Sequence, residues 1–242
     1  MNLDQGGIGE SLRSASNVTI AAHERLRQAI LTVELAPGLR IDEDALAAQM
    51  DTTAEVLIEV VHALVHEGLV MPPAGDGVIM IPPLSLDDLV ELYTLRVVGE
   101  ADAIWNTVPV LDPAACDRLA DELRCIDRNG ASAAGHDAHR RFHQGLRVGV
   151  GERRQRELSQ LFDHAQRYSL AAGRRKLAKG PAEHRAILRA CFSGERSLAT
   201  QLLMRHCADT AYELIELQEP GRRAPSLEAA IELLSERFDT LV

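Results

Sequence analysis

Histidine carries most of the chemical potential of this 242-residue chain, which holds nine of them. His139 and His143, in the stretch HRRFHQGL, stand four residues apart. On a helix that spacing sets two side chains on one face. Neutral imidazole is a borderline donor suited to zinc, nickel, copper or iron. The spacing alone decides little, because His62 and His66 share it with no further donors to suggest a site. A histidine on the apolar face of a helix is most often a satisfied core residue. Other chemistries find less support. The four cysteines (Cys116, Cys125, Cys191, Cys207) form no CxxC pair and read as buried or free thiols of a reducing cytoplasm. No nucleophile motif, P-loop or GxGxxG turn is present, so the chain is not expected to be an enzyme.

The elements that must position these residues are mainly helical. Residues 1–17 are polar, with Gly and Ser, and read as a mobile arm. From Thr19 to about Glu34 the spacing predicts an amphipathic helix with Ile20, Leu26, Ile30 and Val33 on its apolar side. Ala36-Pro37-Gly38 stops it. Asp42 caps a short helix over 43–50, and Thr53 caps a third over 54–67 that ends at Gly68. Leu69-Val70-Met71 and Val78–Ile81, around a Gly-rich tip, predict a β-hairpin. Three helices and a hairpin make a winged helix-turn-helix domain over 18–83, closed by Pro82-Pro83.

Beyond that point every periodic segment is helical. Residues 85–107, 112–128, 132–148, 152–170, 181–192, 195–219 and 226–241 are separated by Gly or Pro. The first has a Ser start, early acids and apolar positions at Leu89, Leu92, Leu95 and Val98. These segments predict an all-α bundle of six to seven helices over 84–220, with an extra helix in 221–242 capped by Ser226. The fold class is therefore mainly α, in two domains. No run of 18 apolar residues exists to cross a membrane, and the first 17 residues lack the pattern of a secretory signal. A cytoplasmic protein is expected.

Together the segments resemble a known family. LRQAILTVELAPGLRIDEDALAAQM, then ALVHEGLV and the hairpin, resemble the DNA-binding domain of GntR-type transcription regulators. ELYTLRVVGEA, HRRFHQGL and AEHRAILRACFSGERSLATQLLMRH resemble the helical effector domain of the FadR-like branch. The resemblance runs from about residue 18 to 215 in the family's order. It implies a homodimer whose winged helices bind operator DNA. It also implies a bundle that binds a small carboxylate metabolite, often beside a divalent transition metal such as zinc or nickel. The metal positions of the family fall on His139, His143, His184 and His206. The first of these is an Asp in the family, so four neutral imidazoles would leave the ion's +2 uncompensated, which favours an anionic effector or a softer metal. Arg96 falls where the family keeps an arginine, and a guanidinium there holds a carboxylate bidentately. A structural ion pair with Glu100 or Glu91 accounts for it equally well. Arg167 and Tyr168 are further candidates for the effector pocket.

The expected DNA contact departs from the family. The turn and start of the third helix usually read Gly-Val-Ser-Arg-Thr-Pro-Val-Arg-Glu-Ala; here they read Asp51-Thr52-Thr53-Ala54-Glu55-Val56-Leu57-Ile58-Glu59-Val60. Both arginine positions are lost, to Ala54 and Ile58. The overall charge is −10, and it is unevenly spread. Residues 1–84 hold four Arg and no Lys against twelve Asp and Glu, and residues 41–84 hold no Lys or Arg at all. Because Lys and Arg on phosphates supply most non-specific affinity, and Arg on guanine is the commonest specific contact, DNA binding is expected to be weak or conditional. Thr52, Thr53 and Arg40 remain as candidate contacts. An acidic winged helix that has lost DNA and serves protein interaction stands beside this as the alternative.

Overall fold

A computed structural model describes residues 5–173 and 180–239, with side chains over 17–173 and 180–238. The chain divides into two compact units, 1–84 and 85–242. No helix among the described residues is long and apolar enough to cross a membrane.

The first unit begins with α1 (Gln5–Leu31). Its start lies well before Thr19, because no proline interrupts residues 5–18 and nothing else there halts a helix. Residues 1–4 of the expected arm lie outside the described residues. Ala22, Leu26 and Ile30 form the buried stripe of α1, while Ile20 is exposed. The helix closes through Val33, whose φ of 63° is left-handed, with Leu35 N donating to Ala29 O at 3.0 Å. Strand β1 (Arg40–Asp42) leads into α2 (Glu43–Gln49), capped by Asp42 Oδ1, which accepts from Ala45 N at 2.9 Å. Asp51, at φ 52°, turns the chain into α3 (Ala54–His66), capped by Thr53. Strand β2 (Val78–Met80) completes the unit. Ile30, Val60, Leu64 and Ile81 are fully buried at its centre.

The strand pairing differs from the expected hairpin. Strand β2 pairs antiparallel with β1, in the register Arg40↔Met80, Ile41↔Ile79 and Asp42↔Val78. Residues 69–71 make one main-chain bond to it, Met71 N to Met80 O at 2.9 Å. Three residues ending in a helix cap carry too little alternation to be read as a strand, so Arg40-Ile41-Asp42 was hidden by Asp42's second role as a cap.

Among the described residues the second unit comprises seven α-helices: α4 (Leu86–Thr107), α5 (Pro113–Asn129), α6 (Ala133–Gly145), α7 (Glu152–Ala171), α8 (Gly180–Phe192), α9 (Arg196–Gln218) and α10 (Pro225–Asp239). Helices α4 and α9 pack along each other, and α10 lies on both. Along α4, Leu89, Tyr93, Val97, Ala101 and Ile104 are buried at helical spacing, with Leu92, Arg96, Glu100, Ala103 and Thr107 buried beside them. Leu95 and Val98 fall outside that set and are exposed. Helix α10 starts at Pro225, so Ser226 sits inside its first turn, 3.4 Å from the Thr94 hydroxyl, and is not the cap. Leu227 and Phe238 are fully buried, with the Phe238 ring 4.9 Å from that of Trp105.

Candidate metal centre

Three helices of the second unit bring four imidazoles together. Helix α6 presents His139 and His143 from one face, as their spacing requires, while α8 supplies His184 and α9 supplies His206. One ring nitrogen from each lies within 4.8 Å of every other. His184 Nε2 lies 3.3 Å from His206 Nε2. Phe142 and Phe162 wall the cluster, with Phe162 centred 5.0 Å from the His143 ring and Phe142 5.1 Å from that of His184.

His143 is the most informative member. It is fully buried, and neither of its ring nitrogens has a hydrogen-bond partner among the described residues. An isolated buried polar atom costs roughly 1–3 kcal/mol, so an imidazole with both nitrogens in that state is poorly explained as a structural residue. Burial, followed by the neighbouring His139, His184, His206 and Arg96, pushes its pKa well below the ordinary imidazole range. It is therefore neutral at pH 7, the form in which imidazole donates to a metal. His206 is oriented from behind, its Nδ1 lying 2.8 Å from Glu183 Oε2. A carboxylate on the far nitrogen of a ligand imidazole fixes the ring and strengthens its donor atom. The donor set and its surroundings fit a divalent transition metal.

The cluster opens onto a cavity of about 330 Å³ that Arg96, Tyr93, Phe162 and Gln166 also line. The electrostatics of this cavity centre on Glu100, which is fully buried on α4. Arg147, almost fully buried, donates Nε to Glu100 Oε2 at 2.9 Å and Nη2 to Glu100 Oε1. Arg96 Nη2 lies 3.5 Å from the same Oε1. Arg96 thus both lines the cavity and leans on Glu100. One carboxylate serves two guanidiniums, which leaves positive charge beside the imidazoles. Cys207 also lines the cavity; burial pushes its thiol up to about 11, so it is not a thiolate at neutral pH.

Arg167 and Tyr168 are not among the residues lining this cavity. Both are buried on α7, but the Tyr168 hydroxyl donates to Asp88 Oδ2 and to Ser85 O at 3.1 Å, tying α7 to the start of α4. Their adjacency in sequence placed them on the right helix and on the wrong side of it. In the first unit, Thr53 Oγ1 accepts from Val56 N at 3.4 Å as the cap of α3. The Thr52 hydroxyl is buried without a partner among the described residues, and Arg40 pairs with Asp76 at 3.2 Å. Two roles escaped the sequence reading: Glu183 as the partner of His206 and Arg147 as the partner of Glu100. Glu183 sits about 100° around its helix from His184 and reaches the imidazole on α9 instead. Arg147 and Glu100 are 47 positions apart, and no local pattern joins them.

Comparison with known proteins agrees with this architecture. Residues 20–79 match the model of the bacterial regulatory proteins of the gntR family, and residues 91–209 match the FCD domain. The chain is 28% identical over 225 residues to the uncharacterized HTH-type transcriptional regulator BphR of Paraburkholderia xenovorans, covering 85% of this chain and 91% of that one. It is 35% identical over 127 residues to an uncharacterized HTH-type transcriptional regulator in an unstable DNA locus of Streptomyces ambofaciens, a match spanning 50% of this chain and 52% of the relative. Among solved structures, a chain from Rhodococcus sp. RHA1 named as a transcriptional regulator GntR aligns with a TM-score of 0.71 at 23% identity, over 86% of this chain and all of that one. E. coli McbR/YncC aligns with a TM-score of 0.68 at 15% identity, over 84% and 99%. These two likenesses establish the shared fold. With a GntR domain ahead of an FCD domain, in that order and over most of its length, the chain belongs to the GntR family of bacterial regulatory proteins, in its FCD-bearing, FadR-like branch.

Proposed function

We infer that this protein is a metabolite-responsive transcription regulator, acting as a homodimer, whose bundle reads a small carboxylate beside a divalent transition metal. His139, His143, His184 and His206 would hold the ion, with Glu183 orienting His206. The ion would serve as a Lewis-acidic docking point for the carboxylate. Arg96, half-satisfied by Glu100, would take the carboxylate's free oxygens. The observation that carries this reading is His143, buried with both ring nitrogens unmet among three other imidazoles. Metal analysis of protein purified without a histidine tag tests it. The expected result is close to one equivalent of zinc or nickel per chain, lost in His143→Ala and His184→Ala; unchanged metal content in both variants would overturn it.

DNA affinity on this reading is weak or conditional. Residues 41–84 carry no basic side chain, and Arg40 is paired with Asp76 at the wing. Of the remaining arginines in the unit with described side chains, Arg27 pairs with Glu67 at 2.7 Å and Arg25 donates to Met50 O at 3.1 Å. Fluorescence anisotropy with duplex DNA from upstream of the gene, across a salt series, measures this directly. Tight binding with a steep salt slope would sink it.

A further inference from the structure

The cavity beside the imidazoles is not uniform in charge along its length. Among the described residues Arg96 is the only Lys or Arg that lines it, whereas Asp127, Glu183, Asp209 and Glu213 all do. Two of these carboxylates are committed elsewhere. Asp127 pairs with Arg185 at 3.0 Å, and Glu183 Oε2 lies 2.8 Å from His206 Nδ1. Asp209 and Glu213, both half-buried on α9, have no hydrogen-bond or ion-pair partner among the described residues. With His206 they stand at i, i+3 and i+7, along one face of the helix. At a rise of about 1.5 Å per residue, they lie about 4.5 Å and about 10.5 Å along the axis from His206.

The other end of the cavity has the opposite character. Arg96 Cζ lies 5.1 Å from the centre of the Phe162 ring, which is itself 5.0 Å from the His143 ring. The guanidinium and the imidazoles therefore share one end. Two side chains there lack partners. Arg96, only 5% exposed, has no hydrogen-bond partner at Nε, and buried His143 has none at either nitrogen, among the described residues. A ligand seated on these groups reaches toward two unpaired carboxylates.

This order of charges selects among effectors. A dicarboxylate anchored on Arg96 and the ion would set its second carboxylate against Asp209 and Glu213, and like charges cost affinity. An apolar tail would strip water from the two carboxylates with no bond in exchange. An α-amino acid keeps its ammonium beside its carboxylate, at the cationic end. A carboxylate with a cation several methylenes away satisfies both ends, and a cavity of about 330 Å³ accommodates such a chain. We propose that the bundle recognises an ω-amino or ω-guanidino carboxylate, with Asp209 and Glu213 holding its cationic end. For the anchored end this rests on the metal-and-carboxylate reading above.

The test uses the full-length protein loaded with zinc and a series of probes of similar length: δ-aminovalerate, valerate and glutarate, which end in an ammonium, a methyl and a carboxylate. Calorimetric titration gives the affinity of each. δ-Aminovalerate should bind at least about tenfold more tightly than valerate, the size expected of a charge-assisted hydrogen bond. Glutarate should bind more weakly than valerate. In Asp209→Asn/Glu213→Gln, which keeps both side-chain volumes, the ratio of δ-aminovalerate to valerate affinity should fall to within about twofold. Circular dichroism checks the folding of this variant, and the wild-type ranking is a test independent of it. Valerate or glutarate binding as tightly as δ-aminovalerate overturns the proposal. So does a preference for the amine that survives in the double variant, or the absence of binding by every probe. A second equivalent of zinc that the double variant loses overturns it in favour of a cation site on α9. Failure of the metal-and-carboxylate reading registers elsewhere: in zinc content unchanged by His143→Ala and His184→Ala, or in valerate binding that chelation leaves intact.

Discussion

Replacing Glu100 with Gln isolates the buried charge arrangement in a single perturbation. The side chain keeps its volume and one acceptor oxygen, but the carboxylate that Arg147 and Arg96 share is gone. Glu100 is fully buried and Arg147 nearly so, so water cannot take over. Removing one partner of a buried ion pair typically costs about 3–5 kcal/mol, because the remaining charge is left uncompensated. Here two guanidiniums lose their counterion, while the amide oxygen still accepts one hydrogen bond; about 3 kcal/mol is therefore a fair expectation. For a unit of this size that corresponds to a fall in Tm of roughly 6–12 °C. Scanning calorimetry at pH 7, in the presence of chelator, measures it. The double variant Glu100→Gln/Arg147→Met removes one of the stranded charges and should recover part of the loss, since apolar replacement of a buried pair is often near neutral. A small carboxylate such as malonate should raise the Tm of Glu100→Gln more than that of the wild type, because it replaces the missing anion beside Arg96. A loss below about 1 kcal/mol, or a double variant as unstable as the sum of its parts, would refute the reasoning.

Four further outcomes follow from the structure. The metal-free bundle should lose stability as pH falls below about 6.5: His143 is neutral when folded because its pKa is depressed, whereas the unfolded chain binds its proton readily, so the stability present above that pH drains away in acid, as pH-dependent melts will show. Tyr168→Phe should cost about 1 kcal/mol in thermal melts by removing the bonds to Asp88 and Ser85, yet leave metal content untouched, as expected for a residue outside the cavity. Thr53→Ala should destabilise the first unit by about 1 kcal/mol through loss of the α3 cap, measurable by urea titration. Val33→Gly should stabilise that unit by about 0.5–1 kcal/mol in the same titration, because a β-branched residue at φ 63° relieves strain when its Cβ is removed.

The helical periodicity of residues 85–239 was legible because each boundary carries its own chemistry: Ser85, Asp112 and Ser132 cap α4, α5 and α6 through their side chains, and Gly or Pro breaks the gaps. The wing was less legible. Its pairing joins residues 40–42 to 78–80 across two helices, and a three-residue strand has no period to detect. Of the site, only the α6 histidine pair is a local signal. Bringing His184 and His206 to it depends on how α8 packs on α9, which single-helix patterns do not encode. Glu183 illustrates the limit well: rotation about its own helix separates it from His184, and it meets His206 on the neighbouring helix. Arg96 was legible as a cavity residue and as Glu100's neighbour, but the stronger claim of Arg147 on that carboxylate is a long-range contact.

The complete burial of His143 has a kinetic consequence. An ion bound to it would have no solvent-facing route along that ligand; His139 shares α6 with it, while His184 and His206 arrive on α8 and α9. A chelator too bulky for the cavity that the cluster lines would then wait on the separation of α6 from those helices, an opening that must break the packing of Phe142 and Phe162 against the rings. Release into chelator should accordingly be slow, independent of chelator concentration once it is in excess, and steeply dependent on temperature. A bundle built this way would keep the metal it acquired on folding across many rounds of carboxylate arrival and departure.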